Sequence, residues 1–320
     1  MSPESTAMVQ PVPSVTSTKT RLPPQRRHVV APRRQIRPAL VLSTLILVTI
    51  VSTFVHALVA APTMQWSVVG KYLFSSLVLK GLLHTIELTL TCEILAIVSG
   101  GVLAGLLIAG SAPWRAAVHA YQWFFRSVPE LAQLIFWFNL SLLFPRLGIG
   151  IPFGGPVFGS VSTNKVITPW IAAMVGIGLH EGAYLAEVFR SGISSVDVGQ
   201  REASRALGLS PQRTFRRVIL PQAMWVIVPN AGSRLIGTLK ITALASVLAI
   251  QELLYTTESI YARTFQTIPL LLVATVWYMV CVAVLRVVQQ GLERHYSRSA
   301  RGFRPRPNLS SAVLPGDDPA

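Results

Sequence analysis

Apolar runs of roughly twenty residues or more alternate with short polar segments along most of this chain, and a run of that length spans a bilayer as a helix. The runs cover Ala39–Ala61, Ser76–Gly110, Ala120–Phe144, Thr168–Arg190, Met224–Ile250 and Ile268–Gln289. They predict an all-α integral membrane protein with six transmembrane helices and both termini on one side. Gly- and Pro-rich residues 145–166 read as an outer loop, and residues 251–267 as an amphipathic outer segment. Pro229, Asn230, Gly232 and Gly237 fall inside the fifth run, where they are expected to bend or break the helix. Gly101 and Gly105 have the spacing that lets two membrane helices approach closely.

A polar stretch, Gly192–Ala223, interrupts the pattern between the fourth and fifth runs. It reads as two short helices with a joint. Asp197 is placed as the N-cap of the first, and Gly208 stands where a left-handed C′ glycine belongs. Ser210 caps the second, Pro211 takes its first turn, and Pro221 opens the next apolar run. Ala203, Ala206 and Leu207 make a small apolar face, from which Arg201, Arg205, Arg213, Arg216 and Arg217 point away.

Composition supports the membrane class. Hydrophobic residues make up 51% of the 320 and charged ones only 13%, with mean hydropathy +0.52. The net charge of +15 raises the question of nucleic acid. Most of the basic residues, however, lie before residue 39, around the 190–217 segment, or after residue 293. Those places share one side in the six-helix topology, which is the cytoplasmic bias of membrane proteins and not a nucleic-acid footprint. Cys92 and Cys281 sit singly in apolar runs and read as core residues, and the scattered histidines outline no metal site. Acids inside a span cost roughly 2.5–3.5 kcal/mol each, so Glu87 and Glu93 are expected to face protein, while Glu181 and Glu187 lie on different faces of their helix, which turns at least one of them toward a pathway. Arg126 and Glu130, four apart, are placed as an ion pair if the helix survives Pro129.

Glu202-Ala203-Ser204, three residues, Gly208, nine residues and Val218-Ile219-Leu220-Pro221 together resemble the EAA loop of ABC importer permeases. Tyr121, Phe125, Arg126, Pro129 and Leu131 are similar to a block of the polar amino acid uptake subfamily. Ala183-Tyr184, Glu187, Arg190, Gly192-Ile193 and Gly199-Gln200 match that subfamily as well. The sequence departs from it at Ser127, Val128, Glu130 and Glu181, and most clearly at Leu239-Lys240-Ile241-Thr242-Ala243-Leu244, where two usual polar groups are Ile241 and Ala243.

The resemblance covers the last five runs and implies a five-helix core, residues 76–296, carrying a cytoplasmic coupling loop at 192–223. To that core this chain adds a disordered basic tail (1–38), an extra helix (39–61) and a disordered C-terminal tail (297–320). It implies that Gln200, Glu202, Ala203, Ser204, Ala206, Leu207, Gly208, Leu209, Arg213, Phe215, Val218, Leu220 and Pro221 meet a separate ATPase subunit. Arg126, Glu187, Leu239, Lys240, Ile241, Thr242, Ala243 and Leu244 become candidates for the gate or pathway. The other partners implied are an extracytoplasmic solute-binding protein, a second permease subunit, identical or related, and membrane lipid. The location implied is the bacterial cytoplasmic membrane. No G-x-x-x-x-G-K-[ST] occurs, so ATP and magnesium would sit on the partner, and this chain would hold no cofactor and catalyse nothing itself. An ion-coupled secondary transporter would show inverted repeats, and none is evident. A non-transporting scaffold would tolerate an altered 197–221 segment, which here is intact.

Overall fold

The computed structural model describes residues 38–150 and 157–300; of the tails expected at 1–38 and 297–320, residues 1–37 and 301–320 lie outside them. Two compact units divide at residue 59. The first contributes one described helix, α1 (Pro38–Ala60), apolar on every side, with Leu42, Ile46, Ile50 and Phe54 all exposed.

The second unit holds the remaining elements. A 3-10 turn (Pro62–Met64) leads into α2 (Trp66–Leu73), then α3 (Ser76–Ala109), α4 (Ala112–Ser127), α5 (Glu130–Phe138) and α6 (Leu140–Leu143). A two-stranded antiparallel hairpin follows, β1 (Arg146–Gly150) with β2 (Val157–Ser162), in the region expected as a plain loop. After it come α7 (Thr163–Val166), α8 (Pro169–Ser194), α9 (Val198–Ala206) and α10 (Pro211–Thr214). A π turn over Phe215–Ile219 joins α10 to α11 (Leu220–Ile241), which tightens into a 3-10 turn at Thr242–Leu248. α12 (Leu253–Thr264) and α13 (Thr267–Ala300) complete the unit. Residues 297–300, assigned to the tail on sequence, continue α13.

Three helices among the described residues are long and apolar enough to cross a membrane unaided: Ser76–Ala109, the continuous run Pro211–Leu248, and Thr267–Tyr296. The run expected at Ala120–Phe144 is broken at Val128–Pro129, with Val128 extended. Pro129 has no N–H for the carbonyl of Phe125, four residues back. The Gln133 side-chain amide replaces it, donating to Phe125 O at 2.9 Å and Val128 O at 2.8 Å. Pro229 behaves differently, because α11 passes through it unbroken. Asn230 Nδ2 donates to Val226 O (2.8 Å) and Gln289 Nε2 to Pro229 O (3.1 Å), so side chains supply donors around the proline.

α8 is the helix around which the others pack, and α3 lies closest to it. A Cβ on Gly100 would fall 2.9 Å from Leu185 Cβ, and one on Gly178 would fall 2.8 Å from Leu95. The close approach thus runs through Gly100, one position before the expected Gly101. Gly101 and Gly105 point into open space. Three apolar clusters hold the unit together. Leu88, Leu134, Ile177 and Leu248 join α3, α5 and α8 to the 3-10 turn, while Val69, Val78, Leu253 and Val273 join α2, α3, α12 and α13. Val196, Ile219, Ala223 and Ile227 seat the polar loop against the base of α8 and α11.

Candidate functional site

The 192–223 segment folds as a capped helix pair. Asp197 Oδ1 accepts from the N–H of Gly199 at 2.6 Å, and Ser210 Oγ accepts from that of Arg213 at 3.4 Å. α9 ends in a six-to-one closure: Leu209 N donates to Ser204 O (3.1 Å) and Gly208 N to Arg205 O (2.9 Å), with Gly208 at φ +72°. Pro221 lies in the first turn of α11, and inside a helix its ring crowds the carbonyl of residue 217. The preceding π turn, in which Leu220 N donates to Phe215 O, widens the helix where that ring must fit. α10 therefore continues into α11 as one rod from Pro211 to Leu248.

Burial sorts the expected contact residues. Glu202, Ala203, Ala206, Leu207, Gly208, Arg213 and Pro221 are exposed, and Leu207 is 80% exposed. Gln200, Leu209, Val218 and Leu220 are half-buried, and Phe215 is 39% exposed. Ser204 turns inward, its hydroxyl on Gln200 O at 2.7 Å. Ala203, Ala206 and Leu207 thus form an apolar face turned outward from the chain. Arg201 departs from the expectation of a solvent-facing arginine. Its guanidinium donates to Ile193 O at 2.6 Å, in the last turn of α8, where free carbonyls favour a cation. This contact ties the loop to α8.

A second polar assembly lies deep between the helices. Arg234 on α11 grips Glu181 on α8 with two hydrogen bonds, 2.8 and 2.6 Å, and Glu181 is fully buried. The Arg234 guanidinium lies 4.0 Å from the Tyr184 ring centroid and that of Arg126 lies 4.8 Å from it. His180 Nε2 is 3.2 Å from Glu130 Oε1, and its Nδ1 is 3.2 Å from Gln133 Nε2. Glu93 on α3, 7% exposed, accepts from the Thr238 hydroxyl at 3.1 Å.

The pathway candidates are therefore scattered. Arg126 rests on Tyr184 and not on Glu130, because the break at Pro129 takes the two off one helix face. Glu187 pairs with Arg190 at 2.5 Å. Leu239 and Thr242 are buried, Ile241 and Leu244 pack on the apolar cluster of the 3-10 turn, and Lys240 and Ala243 face a groove along α13 with Arg286. Glu87 is exposed, against the expectation that it faces protein. Sequence reading passed over Arg234. The available signal was an arginine and a glutamate, each isolated in an apolar run and each needing the other, although 53 residues separate them.

Residues 101–298 match the family described as binding-protein-dependent transport system inner membrane component. The arginine transport system permease protein ArgU of Corynebacterium glutamicum is 36% identical over 257 residues, 80% of this chain and 79% of that protein. The histidine/lysine/arginine/ornithine permease HisQ of Salmonella typhimurium is 30% identical over 227 residues, 71% of this chain and 96% of its own. Among solved structures, an amino acid ABC transporter crystallised with histidines superposes with a TM-score of 0.56 at 27% identity, covering 68% of this chain and 94% of that one. The inward-facing MetNI methionine transporter, 19% identical with a TM-score of 0.54, shares the fold. With this match and the relatives' coverage, the chain belongs to the family of binding-protein-dependent transport system inner membrane components and is a membrane-spanning permease subunit.

Proposed function

We propose that this permease imports a polar amino acid, driven by ATP hydrolysed on a separate ATPase subunit. The outward apolar tip of the 192–223 loop carries the reading. Ala203, Ala206 and Leu207 are presented on a rigidly capped helix whose base is fixed to α8 by Arg201 and to α11 by the Val196–Ile219–Ala223 cluster. An ATPase gripping this tip moves the Pro211–Leu248 rod, and with it Arg234 and Thr238 of the buried polar assembly. The amino acid class rests on what ArgU and HisQ are named for.

The topology proposed has six crossings: α1, α3, the broken α4–α6 path, α8, the Pro211–Leu248 rod and α13. Both termini and the 192–223 loop then face the cytoplasm, and the β1–β2 hairpin faces outward, where a binding protein delivers solute. α8 is too polar to qualify as a span by itself, yet its buried acid Glu181 is matched by Arg234 and its partly exposed Glu187 by Arg190 on the same helix. A second permease subunit, identical or related, completes the path in the cytoplasmic membrane. Affinity purification of the chain from its native membrane tests this directly. An ATPase subunit should co-purify, and solute-loaded binding protein should stimulate its hydrolysis. Recovery of the chain free of any ATPase would count against the reading.

A further inference from the structure

Arg201 is a cation without a counter-ion among the described residues. Its guanidinium donates to Ile193 O, its Nε is buried with no hydrogen-bond partner, and no carboxylate lies within ion-pair distance. A guanidinium carries several N–H donors, so this one keeps capacity for an anion.

Arg201 also borders a cavity of about 740 Å³ between α3, α11 and α13, with Phe215 beside it. The rest of the wall is largely aliphatic, including Ala104 and Ile108 of α3, Met224 of α11 and Leu292 of α13. Ile108 and Leu292 are exposed, and nothing lies within 4 Å of a Cβ built on Gly101 or Gly105, so this wall is open on its outer side. From Gly101 to Ala109 it extends about 12 Å, close to the depth of one leaflet's hydrocarbon, about 15 Å. Glu93, the other charged group on the lining, lies about 12 Å farther along α3, past that depth, and accepts from Thr238. A cation at one end and an aliphatic channel one leaflet deep fit an anionic head with an acyl chain behind it.

We infer that this cavity seats an acyl chain of an anionic phospholipid from the cytoplasmic leaflet, with the lipid phosphate on Arg201. This rests on the topology proposed above, which places the 192–223 loop at that leaflet. A zwitterionic headgroup brings its own cation, so Arg201 favours a lipid with net negative charge. Because Arg201 also ties α9 to α8, the bound lipid joins the coupling loop to α3 and to the rod.

The test places the purified permease–ATPase complex in phosphatidylcholine vesicles containing a trace of phosphatidylglycerol or phosphatidylcholine with a photoreactive acyl chain. Labelled positions are then mapped by peptide mass spectrometry. Labels should fall on residues 101–109, about fivefold more from phosphatidylglycerol, the worth of one basic side chain at an anionic surface. Arg201→Gln should make the two lipids equal there, and Arg201→Lys should restore the preference. Gly105→Leu, placed where a side chain meets open space, should remove labelling by both. An unlabelled 101–109 segment, as when a second copy of the chain or another helix covers it, overturns the inference. So do equal labelling by the two lipids in the unaltered complex, a preference that survives Arg201→Gln, and labelling that survives Gly105→Leu. These failures leave ATP-driven import and the topology standing, since uptake into vesicles and cysteine accessibility read those separately.

Discussion

Leu207 offers the cleanest perturbation of the coupling loop, because it contributes little to the chain's own packing. It stands at the C-cap of α9 with 80% of its surface exposed, directly before Gly208. Full burial of a leucine side chain contributes about 1.5–3 kcal/mol, so covering the part still exposed would contribute roughly 1.2–2.4 kcal/mol. Leu207→Ser should therefore weaken ATPase binding roughly 8- to 60-fold while leaving the permease's own stability within about 0.5 kcal/mol of the unaltered protein. The assay pairs a titration of the isolated ATPase onto permease held in lipid nanodiscs with a thermal melt of the same permease. Unchanged ATPase affinity would refute the docking role of this face. A melting temperature that falls alongside the affinity would instead show that Leu207 packs within the permease.

Gly208, at φ +72° with nothing within 4 Å of a built Cβ, is required for its backbone and not for space. Gly208→Asn should keep more ATPase association than Gly208→Val, for which the left-handed conformation costs about 1–2 kcal/mol or more; equal association of the two would contradict this. Glu181→Gln leaves the Arg234 charge without its partner and should cost about 3–5 kcal/mol, much of it recovered in the Glu181→Gln/Arg234→Met double variant. Additive losses in thermal melts would show that the two residues do not act as a pair. Burial holds the Glu252 carboxyl above the ordinary 4.5, against hydrogen bonds from Leu254, Tyr255, Tyr278 and Thr85 that favour its charged form. The folded state then binds this proton more tightly than the unfolded one, so its stabilising effect is full below pH 4.5 and is lost as pH rises toward the raised value. Melting temperatures should follow that slope, and Glu252→Gln should flatten it; a slope unaffected by the substitution would assign it to other groups. In a background lacking Cys92 and Cys281, a cysteine at Arg205 should react only with a cytoplasmic reagent and one at Phe158 only with an external reagent, and the reverse pattern would overturn the topology.

The features legible in the sequence are those set by local chemistry. Ser76–Gly110 was readable as a helix because its apolar run is long and free of proline, and α3 ends within one residue of that expectation. Asp197, Gly208, Ser210 and Pro211 announced their caps because capping depends on residues a few positions apart. Contacts across helices were not legible. Arg126 and Glu130 looked like partners on a continuous helix, but the helix breaks at Pro129 and each finds its partner on α8, Tyr184 and His180. Pro229 looked like a breaker and is not, since α11 continues through it; Gln289, 60 residues away, donates to Pro229 O, a contact across helices that no local pattern announces. The close seam fell at Gly100 and not Gly101, since helix rotation decides which glycine meets α8. Lys240 shows the same limit, turned to α13 and away from the buried polar assembly.

Uptake of labelled amino acid into vesicles tests the central claim, that a separate motor drives this permease through the 192–223 loop. Vesicles carrying the permease, its ATPase and external binding protein should accumulate solute with hydrolysable ATP inside, and should stop when the ATPase is omitted or the nucleotide cannot be cleaved. Accumulation at the same rate by the permease alone, with no nucleotide present, would contradict the account.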